Sequence, residues 1–427
     1  MKLLIRSVQI IDKKSPFNGQ VKDVLIEGTT IKTIGENLDA GDAEVKEGNG
    51  LCMSVGWIDM RVASRDPGFE HKEDLTSVRA AAAHGGFTEI VLLPNTEPVV
   101  HSKDTLNYIR QSAPQALVKL HVTASVTRKA EGVDFTEMID LHEAGAIAFT
   151  DGDHPVQNAD LFLKTILYLQ PLNALLMNRP EDRQLTLYGQ MHEGLTSTLI
   201  GMKGMPALAE EMMLSRDLKL LAYALEKSLY KSDFPALHVS LISTHEAVEL
   251  IREAKQKGLP VSCDIAAHQL AFTDSDLIDF DTNLKVNPPF RSALDAKAIR
   301  EALADGTIDA IVSDHNPHDE ESKNLEFDHA DFGITGLETA FSLAVMHSGL
   351  ALENIIEKLT SAPRHILRLE QPDIKEGALA NLTFFEKDTD WTFDKSFSKS
   401  KNTPFLGQTL RGKVRGVVNN GKQEWYL

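Results

Sequence analysis

The residues with chemical capacity stand at the ends of short apolar runs. Asp314, His315 and His318 close "DAIVSDHNPH", Asp151 and Asp153 follow "AIAF" in "TDGD", and Asp59, Arg61 and Arg65 share "DMRVASRDPG". Asn95 and Thr96 end "LLPNT", Arg179, Glu181 and Asp182 end "NRPED", and His268 ends "DIAAH". Clustered carboxylates and imidazoles suit metal ligation or proton transfer, whereas arginines suit two-pronged recognition of carboxylates or anions. A carboxylate such as Asp314 at the end of a buried run is costly unless paired or metal-bound, so it marks a site. The plainer reading is that it holds the turn "SDHNPH", as aspartate often does.

Eight strand-like runs must position these groups: "LCMSVGWIDMRV", "FTEIVLLPNT", "LVKLHVTASVT", "AGAIAFTDGD", "LNALLMNRPED", "ALHVSLIST", "LPVSCDIAAH" and "DAIVSDHN". Between them, stretches such as "DLTSVRAAAAHGG" and "THEAVELIREAKQKG" carry helical spacing and a terminal glycine that suits a helix C-cap. This alternation predicts an α/β protein, a (β/α)8 TIM barrel, whose functional residues gather at the C-terminal strand ends. A doubly wound sheet is disfavoured, because no glycine-rich phosphate loop follows the first strand. Residues 1–50 and the C-terminal stretch alternate short β-rich runs with turns, including an Asn420–Gly421 hairpin signal. The expected organisation is a small β-sandwich domain built from both chain ends, 1–54 and 372–427, around a barrel spanning 55–371.

A chain of 427 residues has room for both domains. No apolar run approaches the roughly 18 residues needed to cross a bilayer, and no cleavage site follows the N-terminal strand. Cys52 and Cys263 are too few for a disulfide framework and fit a reducing compartment. A net charge of -18 repels nucleic acid and anionic membranes. The expectation is a cytoplasmic protein that engages no nucleic acid and no membrane, leaving small molecules and proteins as partners.

Five stretches in order, "RDPGFEHKEDL", "LPNTEPV", "DTNLKVNPPFRS", "DGTIDAIVSDHNPH" and "FGITGLETA", resemble the dihydroorotases of the amidohydrolase superfamily, and the resemblance covers nearly the whole chain. It favours these enzymes, which interconvert carbamoyl-aspartate and dihydroorotate in pyrimidine synthesis, over hydantoinases and allantoinases. It implies two zinc ions held by a His-x-His pair after the first strand, an Asp after the fourth, a His after the fifth, a His after the sixth, and an Asp after the eighth. Residue by residue, only Asp151 and Asp314 keep a ligand type. Arg61 and Ala63 replace the histidine pair, Arg179 the fifth-strand histidine and Leu241 the sixth-strand one. The family's "DDG" is here Asp151, Gly152, Asp153, and its "TPHH" is "AAHQ" at 266–269. Arginine has no lone pair to give and alanine and leucine have no ligand atom, so no metal cofactor is expected. Instead the guanidiniums of Arg61 and Arg179 should take the places of the metals and pair with Asp151 and Asp314.

The substrate-anchoring positions implied by the resemblance, Arg65, Asn95, Asn283 or Asn287, and His318, are all present. They could still hold dihydroorotate or carbamoyl-aspartate, or serve local structure. Two function classes follow. In one, the chain is a catalytically silent homologue with a scaffold or regulatory role for aspartate carbamoyltransferase, as inactive dihydroorotase-like chains of the family have. In the other, it is an active cyclic amidohydrolase with an altered zinc site, drawing on His154, His315 and His318, with Asp314 as the base. The lost ligands favour the first. A sensor binding a pyrimidine precursor is a third reading, and the resemblance further implies a homodimer. Residues 168–194 and 314–333 are candidate loops for partner contact or pocket closure.

Overall fold

A computed structural model describes residues 1–226 and 232–426. Strands β1 (Lys2–Ile10), β2 (Val21–Glu27), β3 (Thr30–Gly35), β4 (Glu44–Glu47) and β5 (Cys52–Val55) arise from the N-terminal runs. In β1 to β3, apolar side chains recur on one face and pack into a shared core of Leu3, Ile5, Val24, Ile26 and Ile31.

The chain then enters the barrel. Strands β6 (Trp57–Val62), β7 (Phe87–Leu92) and β8 (Lys119–Val122) pair in parallel. The fourth stave is reduced to Phe149, which bridges Ala124 on one side and Leu176 on the other. Strand β9 (Leu176–Asn178) is the fifth stave, and the short parallel pair β10 (Met191–His192) and β11 (Gly204–Met205) lies outside the ring. Strands β12 (Leu237–Val239), β13 (Val261–Ala266) and β14 (Ala310–Val312) complete it, and a bridge from Val62 to His315 closes first stave on last. All eight runs read from the sequence are therefore staves of one parallel barrel. Between them, Asp74 caps helix Leu75–His84 and Thr244 caps helix His245–Gln256, each accepting backbone amides of the first turn.

Strands β15 (Leu382–Thr392), β16 (Thr409–Asn419) and β17 (Lys422–Trp425) join the N-terminal strands in one sheet of order β17-β16-β15-β5-β1-β2-β3, with β4 beside β1. Asn420 and Gly421, at φ 52° and 70°, form the β16–β17 hairpin, the conformation for which an Asn-Gly pair is suited. No described helix is long and apolar enough to cross a membrane.

Two contacts fasten sheet to barrel. Glu89 at the barrel base accepts from Arg364 at 2.8 Å, His121 at 2.6 Å and Asn381 at 3.0 Å. Burial alone would raise the Glu89 pKa, but His121 and Arg364 outweigh it and hold the carboxyl far below its usual range. Trp57, fully buried, packs against Phe341 and Phe385 with ring centroids 4.6 and 5.4 Å away. Trp57→Ala should therefore lower unfolding free energy by about 3–5 kcal/mol in urea titrations, and Trp57→Phe by less. Equal, small losses for both would mean that the contact is not a joint of the two parts.

Candidate functional site

The end of β6 delivers Asp59 and Arg61 to the barrel mouth. Asp59 accepts the backbone N–H of Arg61 and that of Ser313, both at 2.9 Å, so it ties the first stave to the eighth. Burial raises its pKa to about 6 despite those bonds. The Arg61 side chain is 2 % exposed. Its Nε donates to Asp314 Oδ1 and its Nη2 to Asp153 Oδ1, each at 2.8 Å. One guanidinium thus joins carboxylates from the eighth and fourth staves.

The two carboxylates respond differently. Burial pushes Asp314 up to about 6, with Arg61 pulling the other way and the neighbouring charge of Asp153 adding to the rise. For Asp153 burial also works upward, but Arg61, Arg179 and Arg65 outweigh it and leave its pKa lowered. Asp153 is therefore the firmly ionised partner. Asp314 sits at φ 48°, a left-handed backbone conformation that non-glycine residues adopt at a cost.

The pairing expected of Arg179 and Asp151 is not found. Arg179 donates to Glu181 Oε2 at 2.6 Å and to the carbonyls of Asp153 and Asn287, both at 3.0 Å. A carboxylate two residues along the chain reaches it more readily than one from another stave. Asp151 accepts the backbone N–H of Thr127 at 2.9 Å and the Thr127 hydroxyl. Those bonds satisfy it without a cation, and burial raises its pKa to about 6. Gly152, at φ 64°, then turns the chain and presents Asp153 to Arg61. A side chain at Gly152 would place Cβ 1.8 Å from Asn95 Oδ1. The sequence placed Asp153 among the strand-end carboxylates but assigned the arginines to Asp151 and Asp314; the available signal was a carboxylate moved one position along in a chain with an arginine at 61.

The anchoring positions are turned onto the protein itself. Arg65, at φ 59°, donates to Asn316 Oδ1 and, at 3.2 Å, to the Pro317 carbonyl, and its Nη2 lies 3.2 Å from His318 Nε2. His318 Nδ1 lies 3.0 Å from Asp331. Asn95 clamps the aspartate turn, accepting from Asp153 N–H at 3.0 Å and donating to the Asp151 carbonyl at 3.1 Å. Asn287 donates to Glu181 at 3.3 Å, whereas Asn283 belongs to the 282–284 turn, where Asp281 caps its N–H. Leu241 lies in the apolar layer with Ile58, Met60 and Met177; its backbone, at φ 57°, donates to Asp264, the partner of His238. Ala63 is buried, its N–H bonded to the His315 carbonyl at 2.9 Å.

These residues do not fit a zinc ion. Arg61 occupies Asp314 Oδ1, Thr127 holds Asp151, and Ala63, Arg179 and Leu241 offer no ligand atom. The other histidines do not compensate. His315 faces Glu73 at 3.3 Å, His154 faces Arg183 at 3.0 Å, and His268, its pKa pushed by burial to about 3, packs edge-on against Phe290. Among the described residues, the one convergence of three possible ligands is His245, Glu246 and Asp295, at the starts of two later helices. Arg179, Glu181, Leu241 and Asn287 line a cavity of about 10 Å³, room for about one water.

Comparison with known proteins agrees with this architecture. A family model described as dihydro-orotase-like matches residues 50–247. Over 99% of its length the chain is 38% identical to a dihydroorotase of Pelotomaculum thermopropionicum and 39% identical to one of Syntrophus aciditrophicus, covering 98% and 99% of those proteins. Among solved structures, the L-hydantoinase (dihydropyrimidinase) of Arthrobacter aurescens superposes with a TM-score of 0.82 at 22% identity, covering 100% of this chain and 97% of that one. A dihydropyrimidinase of Brevibacillus agri gives 0.80 at 20% identity, covering 99% and 95%. At those identities the structural likeness speaks for the fold.

Two outcomes follow from the geometry. Arg61→Ala leaves the buried Asp314 and the half-buried Asp153 without their cation and should cost about 3 kcal/mol of unfolding free energy, with Arg61→Lys recovering part; an unchanged denaturation midpoint would refute the clamp. Because the folded-state pKa of Asp314 lies above that of an unfolded aspartate, the folded protein gains a proton as pH falls through about 6. Wild type should therefore gain stability relative to Asp314→Asn between pH 8 and pH 5. A pH-independent difference would mean that the carboxyl stays ionised.

Proposed function

The chain belongs to the dihydroorotase-like family, and from that we propose that it is a metal-free, catalytically silent member acting in pyrimidine biosynthesis as a scaffold or regulator of aspartate carbamoyltransferase. The observation that carries this reading is the Arg61 guanidinium joined at 2.8 Å to both Asp314 and Asp153. Metal-dependent opening of a cyclic amide needs a Lewis acid on the carbonyl and a bound water brought near neutral pKa. Among the described residues of the barrel mouth, arginine, alanine and leucine stand where ligands for such an ion are needed, and Asp314, at the base position, is engaged by Arg61. Arg65 bonds to the loop that carries His318 and Asn95 bonds to the 151–153 turn, which favours a structural role over capture of a pyrimidine precursor.

What remains for such a protein is its surface, and the acidic, nearly full-length dihydroorotase-like body suits a partner of the same biosynthetic route. The reading has two separable parts. For the first, purified protein supplied with zinc should hydrolyse dihydroorotate no faster than Asp314→Asn and should retain no stoichiometric metal after dialysis. Turnover that Asp314→Asn abolishes would instead establish an active amidohydrolase with an altered site. For the second, mixing with aspartate carbamoyltransferase of the same organism should give a faster-sedimenting complex; independent sedimentation of the two proteins removes the scaffold role.

A further inference from the structure

Two lysines are buried where the loop after the eighth stave packs down. Lys323 ends the short helix Glu320–Lys323 and is 5% exposed. Its Nζ donates to the carbonyls of Asp331 at 2.8 Å and Gly333 at 3.2 Å. Lys285 is 1% exposed, and its Nζ donates to the carbonyls of Phe327 at 2.6 Å and Asp328 at 3.1 Å. The two lysines meet at Gly333, whose carbonyl takes Lys323 Nζ and whose N–H donates to the Lys285 carbonyl at 2.8 Å. Among the described residues, no carboxylate is bonded to either amine.

Their surroundings differ. Lys285 holds its charge over the ring faces of Phe332 and Phe327, 4.7 and 5.4 Å from the centroids, which favours the ammonium. Lys323 has the two carbonyls alone. A neutral amine has two hydrogens, so two acceptors satisfy it, whereas an ammonium would bury a third N–H without a partner. Burial pushes the Lys323 pKa down to about 7, the charge of Lys285 adding to the fall and Asp331 and Asp281 opposing it. For Lys285, burial prevails over Asp328 and Asp331 and brings it to about 8. A lysine taken out of water and set beside a second cation is the arrangement that makes an amine nucleophilic at neutral pH. Roughly half of Lys323 is then free amine at pH 7, against fewer than about one in a thousand for an ordinary lysine.

The amine is also within reach of a small molecule. Lys323 lines a cavity of about 540 Å³, the size of a small-ligand pocket. Lys399, Lys401 and His71 line it too, and its carboxylates are Asp319 and Glu320. Asp319 already faces His71 at 3.5 Å. In a chain of net charge -18 this is a locally basic chamber, and it suits an anion. We propose that Lys323 is a nucleophilic site that condenses with a small anionic carbonyl compound, an aldehyde acid or keto acid. Nζ forms a bond to the carbonyl carbon, its two hydrogens leave with the carbonyl oxygen as water, and an imine remains. The ligand carboxylate faces the lysines of the chamber. The inference stands apart from the silence of the barrel mouth, since no metal and none of the mouth aspartates takes part.

The test uses glyoxylate with sodium cyanoborohydride, which reduces the imine to a stable secondary amine, and peptide mass spectrometry of the full chain. At pH 7 the first lysine adduct should be on Lys323, formed about tenfold or more faster than on the exposed Lys129. Its rate should reach half its maximum near pH 7. An unmodified Lys323, or one that reacts no faster than Lys129, overturns the proposal. Lys285→Met removes the neighbouring charge and should move the midpoint to higher pH; a folded variant with an unmoved midpoint overturns the activation by Lys285. Should Lys285→Met unfold, the wild-type profile still decides. Propanal, which is neutral, should favour Lys323 over Lys129 less than glyoxylate does; equal selectivity overturns the anionic class.

Discussion

Carboxylates gathered at the mouth of a parallel barrel need a positive charge among them, and much else here follows from how that need is met. Asp59 and Asp314 come from the first and eighth staves, which close the ring, so they cannot be moved apart without opening it, and Asp153 reaches them from the turn after the fourth. A bound ion would meet the need from outside the chain. Here a side chain meets it, and the cation is part of the sequence. That choice links the first, fourth and eighth staves through one group, Arg61, and leaves Arg179 to organise the loops above.

A buried ion pair is not by itself a source of stability, because taking both charges out of water can cost as much as their attraction returns. Asp314 illustrates this, its pKa standing near 6 although a guanidinium touches it. The base of the barrel shows the opposite balance, with Glu89 surrounded by three donors and its pKa far below normal. The base joint binds the two parts of the molecule together, whereas the mouth clamp specifies which loops face each other.

The fold was legible because its signals are local and repeated: eight apolar runs, helices with caps between them, and an Asn-Gly hairpin. Even the fourth stave, reduced in the structure to bridges through Phe149, announced itself as an apolar run ending in aspartates. That Arg61, Ala63, Arg179 and Leu241 are not usual zinc ligands was equally plain, since residue type alone decides it. The partner of each arginine was not. Whether Asp151 or Asp153 faces Arg61 depends on a threonine 24 positions away and on the left-handed turn at Gly152. Arg179 had a nearer partner in Glu181, a competition that stave-to-stave reasoning overlooked. Nor could the sequence reveal that Arg65 would turn to Asn316 and the Pro317 carbonyl.

Leu241 occupies left-handed backbone that a leucine has no reason of its own to prefer, and Arg65 and Asp314 share that conformation. Its amide is still aimed at Asp264, itself fixed by His238. The main chain thus keeps a shape that its present side chains do not use. Backbone architecture here is set independently of the side chains it presents, so what distinguishes the mouth of this chain is a few side chains and not the fold.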